Sequence, residues 1–592
     1  MYTDKILMQV EKPARYIGNE INMVRKNPAL VDIRFVFAFA DVYEVGMSHN
    51  GLQILYGCLN QRQDTYCERV FAPWHDMEAL MRENKMPLKS LETYSELTNF
   101  DFIGFTLQYE LTYTNILNML DLANIPFMAT DRDENYPIIC AGGPCAVNPE
   151  PLADFFDFFF IGEAEEAFDY VLDLFKENKA KKGTKRDFLD KLAKLPGIYV
   201  PSFYDVKYNS NGTICSFEPN NLSAPKVVKK VHVKDIENVY YPNAPLVPLI
   251  EIVHNRAALE VFRGCIRGCR FCQAGYIYRP RRVKSAEALF EQAKQIMDST
   301  GHEEISLLSL ATNDYPFLEQ LTDLLGACFA GENISLSLPS LRIDATNSSI
   351  LQKVQSVRKS GLTFAPEGGS QRMRDVINKN ISESEIFHGA KLAFEGGWDR
   401  LKLYFVIGLP TEEEKDLEAI AKLASDIVEI YYEMPKEKRR RPVSLNVSAS
   451  CFIPKPFTPF QWFRQHTIDD FLEKQKLIKR AIKNKRIDYK YHSAETSVLE
   501  GAISRADRRM SAVIKRAWEL GARFDGWSEF FRWDIWLKAF EQTNLSLEFY
   551  TFREREYDEI LPWDFIDIGV SKDVLIRENK KAQNAEVTEI KL

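Results

Sequence analysis

Three cysteines fall within eight residues, Cys265, Cys269 and Cys272, in the run Val261-Phe-Arg-Gly-Cys-Ile-Arg-Gly-Cys-Arg-Phe-Cys-Gln-Ala-Gly275. Thiolates at this spacing can hold three irons of a four-iron, four-sulfur cluster and leave the fourth iron without a protein ligand. An open metal position of that kind binds a substrate or cofactor, as an open catalytic zinc position does. A structural zinc site wants a fourth Cys or His at a usual ligand interval, and none follows Cys272. The spacing suits metal ligation better than a disulfide framework, and the start, Met1-Tyr-Thr-Asp-Lys5, is not a signal peptide. The other cysteines (Cys58, Cys67, Cys140, Cys145, Cys215, Cys328, Cys451) show no second ligand pattern and read as small core residues in a reducing cytoplasm.

A chain of 592 residues implies several domains, because single cores stop growing near ~250–300 residues. With 45% hydrophobic and 27% charged residues it has an ordinary globular composition. No apolar run approaches the ~18 residues that span a bilayer. A formal net charge of −8 gives no global argument for nucleic acid. Local basic clusters at Lys179–Arg186, Lys436–Arg441 and Lys479–Arg486 read as solvated faces, with RNA contact the minority reading.

Strand and helix patterns alternate twice along the chain. Ile33–Ala40, Asp101–Thr106, Tyr136–Ala141 and Phe156–Ile161 read as strands, with helical stretches such as Gly51–Asn60 and Asn115–Leu122 between them. This predicts an α/β, doubly wound (Rossmann-like or flavodoxin-like) parallel sheet over residues 1–190. Residues 191–250, rich in Pro, Asn and Val, read as a β-rich linker. A second series follows, with strands at Ala258–Phe262, Ile305–Leu310, Ile334–Pro339, Leu362–Ala365, Arg400–Ile407 and Ser444–Phe452. Six such units over 251–460 predict a partial (β/α)6 barrel of TIM type, with chemistry at the carboxyl ends of its strands. The cysteine triplet follows the first of them. Residues 461–592 read as helical and rich in Arg and Trp, with a polar end from Glu578 expected to fray.

The cysteine spacing and its setting resemble the radical S-adenosylmethionine (SAM) superfamily, in which the open iron chelates the cofactor. The resemblance implies a reductive cleavage of SAM to methionine and a 5′-deoxyadenosyl radical, fed by an electron donor such as ferredoxin or flavodoxin. Phe364-Ala-Pro-Glu367-Gly-Gly-Ser-Gln-Arg372 and Val406-Ile-Gly408-Leu-Pro410 resemble segments that contact SAM in such enzymes. Glu367, Arg372 and Gly408 are therefore expected to bind it, through carboxylate, guanidinium fork and close backbone approach respectively. The second strand departs from the superfamily's Gly-Gly-Glu pattern and ends in Ser309-Leu-Ala-Thr312-Asn313-Asp314-Tyr315.

The N-terminal third resembles a cobalamin-binding module, on Asp41-Val-Tyr43-Glu-Val-Gly46, Gly104-Phe-Thr106-Leu-Gln108 and Ala141-Gly142-Gly143-Pro144. The resemblance implies cobalamin contacts from Asp41, Tyr43, Gly46, Thr106, Gly142 and Gly143. Tyr43 stands where the family's loop carries its cobalt-ligating histidine. Lys12-Pro-Ala-Arg-Tyr-Ile-Gly18, Glu68-Arg-Val-Phe-Ala-Pro-Trp74, Pro454-Lys-Pro-Phe-Thr-Pro-Phe-Gln-Trp462 and Phe524-Asp-Gly-Trp527 extend the likeness, from about residue 10 to about residue 580, to one family of cobalamin-binding-domain radical SAM proteins. A cobalamin-dependent methylase of undetermined substrate is the leading expectation. A cobalamin-independent radical enzyme, whose N-terminal domain binds substrate or a partner, and a non-catalytic cofactor sensor are the alternatives. Arg505, Asp507, Arg508 and Arg509 are expected to pair with carboxylates between domains.

Overall fold

The structure is a computed structural model that describes residues 2–339, 342, 362–439 and 441–589. Its first sheet is made of β1 (Ile33–Phe39), β2 (Thr65–Phe71), β3 (Phe102–Thr106), β4 (Ile138–Gly142), β5 (Phe158–Phe160) and β6 (Ile198–Tyr199), in the order β2-β1-β3-β4-β5-β6. All neighbours are parallel except β5 and β6. The strands are buried almost without interruption, as expected of a parallel sheet covered on both faces. In this flavodoxin-like order the chain reverses direction across the sheet between β1 and β3, and a crevice opens there at the strands' carboxyl ends.

Two boundaries differ from the sequence reading. Strand β6 lies inside the stretch read as a linker and completes the first sheet. The hairpin of β7 (Tyr204–Tyr208) and β8 (Ile214–Pro219) follows, then β9 (Val228–Lys229), which pairs with β19 (Ile566–Asp567) near the other end of the chain. Phe217 stacks on Phe565 with ring centroids 4.3 Å apart. The stretch therefore clamps the C-terminal region as well as joining two domains.

The second βα series forms two parallel arcs. One is β10 (Ala257–Glu260), β13 (Glu304–Leu308) and β14 (Ser335–Ser337); the other is β15 (Leu362–Glu367), β16 (Arg400–Ile407), β17 (Ser444–Cys451) and β18 (Ile487–Tyr491). All six expected strands are present, and β18 is a seventh, beyond the expected end at residue 460. Its sequence, Ile-Asp-Tyr-Lys-Tyr, is short and mostly exposed, and directly follows the helix Ile468–Ala481, so no apolar pattern marked it. Along β16, Leu401, Leu403, Phe405 and Ile407 are buried while Arg400 and Tyr404 are exposed. The helices Ala286–Thr300, Glu383–Glu395 and Ile468–Ala481 begin at side-chain caps from Ser285, Ser382 and Thr467.

The C-terminal helices pack back on the first domain. Helix Met510–Glu519 lies against Tyr113–Leu122, and Arg508 reaches Glu150 at 2.9 Å. Arg509 pairs with its neighbour Asp507, whereas Arg505 is fully buried and donates to the carbonyls of Gln461, Phe463 and Thr551. The end is not frayed at Glu578: helix Lys572–Gln583 continues through it, with Leu575, Glu578, Asn579 and Ala582 buried. Among the described residues no helix is long and apolar enough to cross a membrane.

Candidate active site

The cysteine loop is framed by a two-strand ladder, β11 (Phe262–Arg263) against β12 (Arg282–Val283), directly after β10. Gly264 makes the entry turn at φ +84°, where a Cβ would meet the Pro280 carbonyl oxygen at 2.6 Å. Cys265, Cys269 and Cys272 are half-buried, and the Arg267 backbone N–H points at Cys265 Sγ, 3.4 Å away. Burial first, then the neighbouring Cys269 thiol, pushes up the pKa of Cys265 and of Cys272, the latter to about 12. Iron would offset that cost, since metal binding deprotonates thiols. Among the described residues no three His, Cys, Asp or Glu side chains close on one point as a single ion requires. Three thiols that sense one another's charge on one loop suit a cluster, whose irons are separate points.

Opposite the loop, Glu367 ends β15 in the left-handed region, φ +66°, a conformation that costs a side-chain-bearing residue energy and clusters at functional sites. Lys379 Nζ lies 3.3 Å from its Oε1. Burial pushes the Glu367 carboxyl up against the pull of Lys379 and Arg342. The segment after β13 supports the loop: Arg267 Nε donates to Asp314 Oδ2 at 2.8 Å, and the Arg342 N–H donates to Asn313 Oδ1 at 2.7 Å. Arg342 and Lys379 were not singled out in the sequence, and Asp314 was named only as part of the segment ending the second strand; Arg267, 47 residues earlier, is what gives Asp314 its place.

Arg372 does not meet the expectation placed on it. Its guanidinium is committed to Asp416 and to the Thr411 carbonyl (2.7 Å), at the start of helix Glu414–Glu433. Gly408 has φ +77°, and a Cβ there would strike the Phe471 ring at 2.5 Å. Its glycine is explained by the turn and by Phe471 packing.

A cavity of about 410 Å³ opens at the crevice of the first sheet. It is lined by Phe35 and Phe37 of β1, Gly104–Thr106 of β3 and the Cys140–Gly143 turn. The barrel closes it with Glu260, Phe262 to Gly264, Leu308 to Leu310, and Ile277 and Tyr278, the residues that flank the cysteine loop on both sides. Thr106, Gly142 and Gly143 are part of this lining. Gly143 has φ +99°, and a Cβ on it would press on the Leu107 backbone at 2.9 Å.

Asp41, Tyr43 and Gly46 do not line the cavity. Asp41 Oδ1 accepts from Trp527 Nε1 at 3.0 Å, and Tyr43, 2% exposed, donates to Glu20 at 3.1 Å. A Cβ on Gly46 would lie 2.2 Å from the Phe71 ring, so that glycine serves core packing. His49, Leu55 and Gln108 line the cavity as well. His49 caps helix Asn50–Gln61, with Nδ1 accepting the Leu52 N–H at 3.1 Å, and burial holds its pKa down at about 4. Its Nε2 therefore carries the proton.

The cavity wall is also a domain joint. Arg263 bonds Glu163 (3.2 Å), Glu165 (2.6 Å) and Glu260 (2.9 Å), and Arg282 bonds Glu163 at 2.7 Å. Burial alone would raise the Glu163 carboxyl, but the two arginines draw it below its usual range. Lys230 donates to the Ile277 and Arg279 carbonyls at 2.8 and 2.6 Å, and burial lowers its pKa to about 8.

These features define a radical enzyme core joined to a doubly wound domain, and comparison with known proteins agrees. The family described as "Radical SAM superfamily" matches residues 259–424, and the one described as "Radical SAM proteins, N-terminal" matches 51–201. Residues 259–424 are thus a radical SAM domain, and the protein is a radical SAM enzyme, a class that carries a four-iron, four-sulfur cluster and uses SAM. Uncharacterized protein MJ0966 of Methanocaldococcus jannaschii is 29% identical over 432 residues, covering 72% of this chain and 82% of its own. Among solved structures, the radical SAM methyltransferase TsrM from Kitasatospora setae, with cobalamin and a [4Fe-4S] cluster bound, superposes with a TM-score of 0.45 at 10% identity, over 70% of this chain and 74% of its own. The cobalamin-dependent SAM radical enzyme OxsB does so with a TM-score of 0.45 at 14% identity, over 76% of this chain and 56% of its own.

Proposed function

We propose that this protein is a cobalamin-dependent radical SAM enzyme that methylates a carbon of its substrate. The observation that carries the reading is the cavity, which lies at the point where a doubly wound sheet binds ligands and is closed by the residues flanking the cysteine loop. When bound, the cluster supplies the electron that splits SAM to methionine and a 5′-deoxyadenosyl radical, and cobalamin supplies a methyl group. Cys265, Cys269 and Cys272 would hold the cluster. Glu367, strained and half-buried beside Lys379, would accept from the ribose hydroxyls or amino group of SAM. Thr106, Gly142 and Gly143 would face cobalamin together with His49 and Gln108. His49 offers a donor there and no free ring nitrogen for cobalt, because Nδ1 is taken by the Leu52 N–H. The electron would come from a donor such as ferredoxin or flavodoxin.

The test is to fill the cavity. Leu55→Trp adds bulk from helix Asn50–Gln61 into the lined space. Hydroxocobalamin binding should weaken at least about tenfold while iron content is unchanged. Unchanged binding would remove the cavity as the cobalamin site. A second reading, a radical enzyme that holds its substrate in this cavity, is favoured by the displacement of Asp41, Tyr43 and Gly46 from the wall.

A further inference from the structure

Arg270 lies between the second and third cysteines, is 0% exposed, and has every guanidinium N–H engaged. Nη1 donates to the carbonyls of Asp375 (3.2 Å) and Val376 (2.9 Å), just past the Glu367 segment. Nε and Nη2 turn the other way, to the end of the chain: Glu578 Oε2 (3.3 and 3.1 Å), the Glu586 carbonyl (2.7 Å) and Thr588 Oγ1 (3.4 Å). A second route joins the same three segments. Asn378 Nδ2 donates to the Gly268 carbonyl at 3.2 Å, and Asn378 Oδ1 accepts the Thr588 N–H at 2.8 Å. Thr588 Oγ1 also donates to Glu578 Oε2 at 2.7 Å, and the Arg270 N–H donates to the Ile377 carbonyl at 2.9 Å.

We infer that the C-terminal segment from Glu578 to Thr588 is a strap that fixes the geometry of the cluster-binding loop, with Arg270, Asn378, Glu578 and Thr588 as its positioning residues. The physical need is plain. A guanidinium buried between two metal ligands must have its charge balanced and its donors satisfied, and removing one partner leaves an uncompensated charge. Among the described residues the acceptors of the Arg270 guanidinium come from the segment after β15 and from the tail, not from the first domain. Groups that orient a metal's own ligands act on affinity and on electronic properties although they never touch the metal. The strap would act in this way on Cys269 and Cys272, whose intervening residues are Arg270 and Phe271.

The inference rests on the reading that the three cysteines hold the cluster, and one experiment separates the two. The full chain, a chain ending at Ala585, and the full-length variants Thr588→Val and Glu578→Gln are reconstituted anaerobically with iron and sulfide. Iron release to a chelator and the EPR spectrum of the dithionite-reduced cluster are then recorded, with circular dichroism as the check on folding. The strap predicts iron release about tenfold faster in the shortened chain and in Glu578→Gln, with shifted g-values, while the fold is kept. Thr588→Val, which removes only one hydroxyl, guards against misfolding of the others and should shift the same signals by a smaller amount. Folded variants with the release rate and spectrum of the full chain would overturn the strap. A full chain that takes up no four-iron cluster would instead overturn the ligand assignment of the cysteines, and the strap with it.

Discussion

The Arg263 guanidinium sits 2.6 Å from the Glu165 carboxylate, so the strand that opens the cysteine loop is tied to the turn after β5 of the first domain. Glu163 and Glu260 share the same guanidinium, at 3.2 and 2.9 Å. Arg263→Ala would leave three largely buried carboxylates without their common partner. The expected loss is about 3–5 kcal/mol of stability, seen as a lowered urea midpoint, together with weaker cobalamin retention. A midpoint within ~1 kcal/mol of the parent would show that the joint is held by other contacts.

Glu367→Gln tests the SAM site. The substitution keeps the size of the side chain and removes a largely enclosed carboxylate whose charge is met by Lys379 and Arg342. Iron content should be unchanged and SAM affinity should fall about 10- to 100-fold, the scale of a charge-assisted hydrogen bond. Equilibrium dialysis with SAM on the reconstituted enzyme reads this directly, and an unaltered affinity would place the SAM contacts elsewhere.

His49 predicts a pH dependence. Its pKa falls from 6.5 to about 4 through burial, so in this window the unfolded chain binds more protons than the folded one. The contribution of the neutral ring to stability is complete above about pH 6.5 and is lost progressively as the pH drops toward about 4. His49→Asn preserves a side-chain acceptor for the helix cap and cannot titrate there. Comparing urea midpoints at pH 7 and pH 5, the drop should be smaller in the variant. An equal drop would assign the acid sensitivity to other groups.

Trp527→Phe tests the role given to Asp41. The indole N–H is the side-chain donor to Asp41 Oδ1, while the Val42 N–H holds the same oxygen at 2.7 Å. The variant should lose about 1–3 kcal/mol of stability and keep the affinity for hydroxocobalamin. A large loss of cobalamin without loss of stability would return Asp41 to the cofactor site.

How much of this was legible in the sequence follows from the distance over which each feature is determined. The three cysteines lie within one loop, and the strands of both series carry their own apolar patterns, so these could be read locally. The position of the Gly142–Gly143 turn and Thr106 in the cavity wall also could, because strand ends point at the crevice by topology. Asp41, Tyr43 and Gly46 were misplaced because their partners, Trp527, Glu20 and Phe71, come from other parts of the chain. Arg372 looked available because Asp416, which captures it, lies 44 residues on. The polar end from Glu578 resembles a solvated tail until Arg270, 308 residues earlier, is brought against it.

Cobalamin retention tests the central claim most directly. The protein is reconstituted with iron and sulfide without oxygen, mixed with hydroxocobalamin, desalted, and examined by visible and EPR spectroscopy before and after reduction with SAM present. The account predicts one base-off cobalamin per chain, without nitrogen coupling from a protein imidazole, beside a reducible four-iron cluster that releases 5′-deoxyadenosine. A cluster that cleaves SAM in protein that keeps no cobalamin would contradict it.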